Sequence, residues 1–139
     1  MVGQPIADPK ALFVSTKWRT VNNCDSIAIS DRKGFAQMTD DSKMADPSKP
    51  FNSTDFMIDE KLPRRRLIVA GSSDTYSFIA YQKSGRGLHN RLIIFRLIGT
   101  KVDPVWGGVF TDSVGTSHDI SVLMSADKIE QRSIKRDSW

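Results

Sequence analysis

The chain has 139 residues, 39% of them hydrophobic and 26% charged, enough for one domain that buries a core and too balanced for a disordered or fibrous protein. Its net charge of +4 is unevenly spread. Lys61 to Lys101 carries nine basic residues against one acid, Asp74, while Met38 to Glu60 carries six acids against two lysines. Such a basic block favours an anionic partner, unless the acidic stretch folds beside it and neutralises it.

Met1 to Lys10 (MVGQPIADPK) lacks the charged and apolar regions of a secretory signal, although a processed exported form could start in the same way. We read it as a flexible leader to one domain spanning residues 1–139. Ala11 to Thr16 is a short apolar run, and Lys17 to Val21 alternates as a half-buried strand does. Asn22-Asn23 reads as a turn. Asp25 to Asp31 alternates again, with Ile27 and Ile29 on one face, and Gly34 to Met38 is expected to return as the second strand of a hairpin. Thr39 to Ser53 (TDDSKMADPSKPFNS) has the composition of a long surface loop.

The second half is expected to hold four consecutive antiparallel strands: Asp55 to Glu60, Arg65 to Ala70, Thr75 to Lys83 and Leu88 to Ile98, separated by Pro63 and by Gly-rich and Ser-rich turns. Both alternating sets are apolar in Leu92 to Ile98 (LIIFRLI), which predicts a central strand covered on both sides. Lys101 to Phe110 is another strand, with Pro104 marking an edge or bulge. Ser117, Ile120, Leu123 and Met124 outline a short helix capped by Ser117, and Lys128 to Ile134 continues that helix or forms a last strand, the strand being favoured. The predicted fold is α+β and mainly β: an antiparallel sheet of about six to eight strands, curled into a sandwich or partly open barrel, with one short C-terminal helix. Its core is placed around Ile68, Phe78, Ile93, Phe95, Leu97 and Trp106.

Chemistry is sparse. Cys24 is the only cysteine, so no disulfide forms within the chain, and with only His89 and His118 beside it a structural zinc site lacks ligands. The run DDSKMAD has acids but neither the spacing nor the glycine of a calcium loop. Gly85-Arg86-Gly87 reads as a hairpin turn and not a phosphate-binding loop, so no cofactor is expected. Asn52-Ser53-Thr54 fits a glycosylation acceptor, a short pattern that matters only in a secreted eukaryotic protein. Ser117-His118-Asp119 contains the residue types of a hydrolytic triad, but adjacent side chains diverge where a triad must converge.

By elimination, the sequence reads as a non-catalytic protein-binding module that caps or inhibits another macromolecule. Its expected partner is a protein with an acidic face, and nothing is read as spanning a membrane. The expected contact residues are Arg64, Arg65, Arg86, His89, Asp112, Ser113, Thr116, Ser117 and His118, on the basic block and on the Gly107 to His118 loop. Two further readings stay open. One is nucleic-acid binding through the 61–101 block, with Tyr76, Phe78 and Tyr81 to stack bases. The other is a small hydrolase using Cys24 or Ser117 with a histidine.

Overall fold

A computed structural model describes residues 8–39, 43–53, 61–84, 89–134 and 139. The chain begins with helix α1 (Pro9–Ser15), short strand β1 (Arg19–Val21), a 3-10 turn (Cys24–Ser26) and helix α2 (Ile29–Ala36). Strands β2 (Arg65–Ser72), β3 (Tyr76–Lys83), β4 (His89–Ile98) and β5 (Lys101–Phe110) follow, then helix α3 (Ser117–Ser125) and strand β6 (Glu130–Gln131). Sheet order equals chain order, β1 to β6, and every neighbouring pair is antiparallel. This is the mainly-β α+β architecture expected, as one sheet that is open among the described residues.

The doubly apolar β4 explains how the sheet is covered. Leu92 and Ile94 join a core with Phe13 of α1 and Ile120, Leu123 and Met124 of α3. Ile93 and Phe95 face the other way, into a core with Ile27, Phe35 and Met38 beside α2. Alternation along a strand sends successive side chains to opposite faces, so a strand apolar on both needs covering on both. Helices supply it.

The hairpin expected over Asp25 to Met38 is instead the 3-10 turn and α2. Ile27 is buried but Ile29 is 65% exposed, so the two do not share a face. The residues that α2 and its C-terminal end bury are Asp31, Gly34, Phe35 and Met38, a helical spacing disguised because two of them are not apolar. Gly34 permits close approach, since a Cβ there would lie 2.4 Å from Val102 Cγ2 of β5. Helix α1 was also missed, although Asp8 caps it by accepting from Ala11 N at 3.0 Å and Pro9 occupies its first turn.

Of the expected core, Phe78, Ile93, Phe95 and Trp106 are buried and Ile68 is partly so, but Leu97 is 40% exposed. Leu97 lies at the end of the β4–β5 hairpin, where both strands run on towards the Gly99 turn. Val105 is the extra residue of a bulge between Ile94 and Phe95, next to Pro104 as that proline suggested. Ile68 is the extra residue of a second bulge, between Leu67 and Val69. The Asp55 to Glu60 strand lies outside the described residues, and 43–53 is irregular apart from a parallel bridge from Ala45 to Arg66.

Asp31 ties α2 to the sheet. Its Oδ1 accepts from Ser77 Oγ at 2.7 Å, and burial pushes its carboxyl above the usual range, with that hydrogen bond opposing the shift. A carboxyl whose folded value is raised favours folding when protonated, so its contribution is present at low pH and lost as pH rises through the folded value. Asp31→Asn is therefore expected to stabilise the protein on the order of 1 kcal/mol at pH 7 and much less at pH 3, read from urea midpoints. A gain that grew on acidification would contradict this assignment.

Candidate functional site

The Cys24 thiol, one of the two nucleophiles suggested by the sequence, is engaged elsewhere. Cys24 Sγ lies 3.4 Å from the Met44 carbonyl oxygen and 3.7 Å from that of Ala45, and its backbone N–H donates to Asp46 Oδ1 at 2.7 Å. Burial first, and then Asp46, push the thiol up to about 12. A thiol is nucleophilic only as thiolate. Alkylation of Cys24 by iodoacetamide at pH 8 is expected to run roughly a hundredfold or more slower than that of free cysteine. A rate within about tenfold would show that this environment does not hold.

Asp119 belongs to a helix cap and not to a triad. Its Oδ2 accepts from Gly115 N at 2.9 Å and Thr116 N at 3.1 Å, while Thr116 Oγ1 accepts from Asp119 N at 3.1 Å. These bonds, the one from Gly115 foremost, hold its carboxyl below the usual range. The cap residue is thus Thr116 and not Ser117, because only Thr116 stands three residues before an acid that can close a capping box. Thr116→Ala is expected to cost about 1 kcal/mol in urea unfolding.

That box is one of several anchors on the loop that joins β5 to α3. Asn90 Nδ2 donates to the Asp112 carbonyl oxygen at 2.9 Å, Lys128 Nζ stands 3.7 Å from Asp112 Oδ2, and Val114 packs against the core. Between these points Ser113, Thr116 and His118 are exposed, while Asp112 and Ser117 are half-buried. The loop is held at both ends and in its middle, and it still presents polar side chains to solvent.

The basic block is divided by strand alternation. Arg65 shares a face with Leu67 and is only 1% exposed; its Nε donates to the Trp139 carbonyl oxygen at 3.0 Å, and Nη2 donates to the same oxygen. It is not a surface contact. Arg91 lies on that face too, 5.3 Å from the Trp139 ring centroid. Arg66 and Arg96 project to the opposite face, and Arg96 sits 5.7 Å from the ring centroid of Tyr76. Arg64 is exposed, His89 is half-buried at the start of β4, and Arg86 lies outside the described residues. Phe78 and Tyr81, considered above for base stacking, are buried.

Arg66 and the anchored loop meet at a groove of about 390 Å³, lined by Arg66, Gln82, Ile68, Val114, Gly115 and residues of the 43–53 segment. The β2 bulge at Ile68 lies in its wall, as bulges often do where a strand must re-aim its side chains. Ser48, also in the wall, has a left-handed backbone (φ 66°). Only Arg64 and Arg65 of the triple arginine stand among the residues expected from sequence. The legible signal was parity: with Leu67 in the core, Arg65 must share its face and Arg66 must oppose it.

The fold and groove define an antiparallel α+β protein with a helix-covered meander sheet and an anchored, exposed loop beside a polar groove. Comparison with family models, with curated proteins and with solved structures finds no match to this chain. Among the described residues no group of three His, Cys, Asp or Glu side chains is placed to hold a metal ion, and no helix is long and apolar enough to cross a membrane.

Proposed function

We propose that this chain is a non-catalytic protein-binding module that caps or inhibits another macromolecule, with the 112–118 loop as its principal contact. The anchoring of that loop carries the reading. A loop already fixed by a capping box, a side-chain bond from Asn90 and a core contact through Val114 pays little conformational entropy on binding. Ser113, Thr116 and His118 then offer hydrogen-bonding groups on a fixed frame.

The test is an affinity capture from lysate of the source organism near physiological salt, split into nuclease-treated and untreated halves. Wild-type chain is compared with Ser113→Arg and His118→Glu, which alter exposed side chains that make none of the hydrogen bonds of the cap. The reading expects one stoichiometric protein in both halves, depleted roughly tenfold or more by either variant. Material lost on nuclease treatment would overturn it in favour of nucleic acid. Retention unaffected by both variants would remove the loop as the contact.

A further inference from the structure

Among the described residues, neutral groups hold the side chain of Arg66 in place. Its Nε donates to Gln82 Oε1 at 2.8 Å, Nη1 lies 3.4 Å from the Lys49 carbonyl oxygen, and its guanidinium carbon stands 4.4 Å from the Phe51 ring centroid. Gln82 is its register partner across β2 and β3, so the contact is built into the sheet. Among the described residues these bonds use one hydrogen on Nε and one on Nη1, which leaves the second Nη1 hydrogen and both Nη2 hydrogens for an acceptor in the groove. Arg66 is half-buried, and no carboxylate among the described residues pairs with it.

A cation fixed in this way, with its fork unfilled, is arranged for an incoming anion. We propose that Arg66 receives an aspartate or glutamate carboxylate of the partner protein, seated in the groove between Gln82, Ile68 and Val114. This rests on the protein-binding reading above and names the chemistry of the partner at that site. Carboxylate geometry matches the remaining guanidinium edge through two parallel hydrogen bonds, one from Nη1 and one from Nη2, and stacking on Phe51 leaves little side-chain freedom to lose. Ile68 and Val114 offer apolar contact for the methylene stem of an acidic side chain. Phosphate of a nucleic-acid backbone would call for a row of cations, whereas alternation along β2 sends Arg65 to the opposite face and into the core.

The experiment is a nitrogen-15 NMR titration of the whole chain with an acetylated, amidated Leu-Glu-Leu-Glu-Leu peptide, and in parallel with a thymidine hexanucleotide. The peptide is expected to shift the Arg66 Nε–H and Gly115 amide signals to saturation in the millimolar range or below. Arg66→Gln is expected to abolish that saturation and Arg66→Lys to weaken it roughly tenfold, because an ammonium cannot form the two-bonded fork. Because Arg66 is read directly in the wild-type protein, the result does not depend on either variant folding. No saturable shift at Arg66, peptide shifts that survive Arg66→Gln, or tighter binding by the oligonucleotide at the same signals would overturn the proposal. A captured protein lost with Ser113→Arg, alongside a peptide that ignores Arg66, would leave the module standing and remove only the carboxylate assignment. Capture of nucleic acid alone would remove the module itself.

Discussion

Phe78→Ala is expected to cost about 3–5 kcal/mol, a large part of the roughly 5–15 kcal/mol that holds a domain of this size folded. The ring sits 4.9 Å from Phe13 at 61° and 4.9 Å from Trp18 at 82°, so one side chain of β3 joins α1 and the segment leading into β1 to the sheet. Edge-to-face pairs of this kind add about 0.5–1.5 kcal/mol each beyond the area they bury. The ring lies across Gly71, its register partner on β2, where a Cβ would meet Phe78 Cε1 at 2.4 Å. With glycine beneath and rings beside it, no large neighbouring side chain on that strand can swing in to fill the hole. Urea unfolding followed by circular dichroism measures the loss. A loss below about 1.5 kcal/mol would mean that the cluster repacks.

Gly107→Ala is expected to destabilise by about 1–3 kcal/mol although it adds one methyl group. An added Cβ would lie 2.4 Å from Trp139 Cη2 and 2.7 Å from Cζ2. Neither partner can retreat easily. Gly107 is in register with Ile93 in the sheet, and Trp139 is 1% exposed, its carbonyl oxygen gripped by Arg65 and its ring beneath Arg91. The clash therefore tests whether Trp139 is seated on β5. In a Trp139→Ala background the alanine is expected to cost almost nothing, so the double-mutant cycle should return a coupling of at least about 1 kcal/mol. Equal costs in both backgrounds would show that the indole does not rest on Gly107.

Much of the sheet was legible because strands write their pattern locally. Runs rich in Ile, Val and Phe between Gly and Ser turns marked β2 to β5, and the apolar character of both faces of β4 foretold a covered sheet. Helix α3 was legible too, with the cap displaced by one residue, whereas Lys128 to Ile134 could be read as helix or strand and holds only the two-residue β6. Helix α2 was not, because its buried face includes Asp31 and Gly34, whose reasons for burial lie on other elements: Ser77 on β3 and Val102 on β5. The loop bearing Asp112 to His118 could be singled out by composition, but beyond its own capping box the bonds that anchor it come from Asn90 and Lys128.

The sequence by itself determined an antiparallel, mainly-β chain in consecutive strands, a core independent of disulfides within the chain, and a scarcity of cysteine and histidine. Those properties follow from composition and from a two-residue period read over a few positions. Only the tertiary structure decided that Arg65 turns inward to Trp139 while Arg66 meets Gln82, Lys49 and Phe51 at a groove beside Val114. Strand parity could have separated the two arginines. Their partners depend on register and long-range packing, which bring together residues far apart in the chain and leave no local periodic trace.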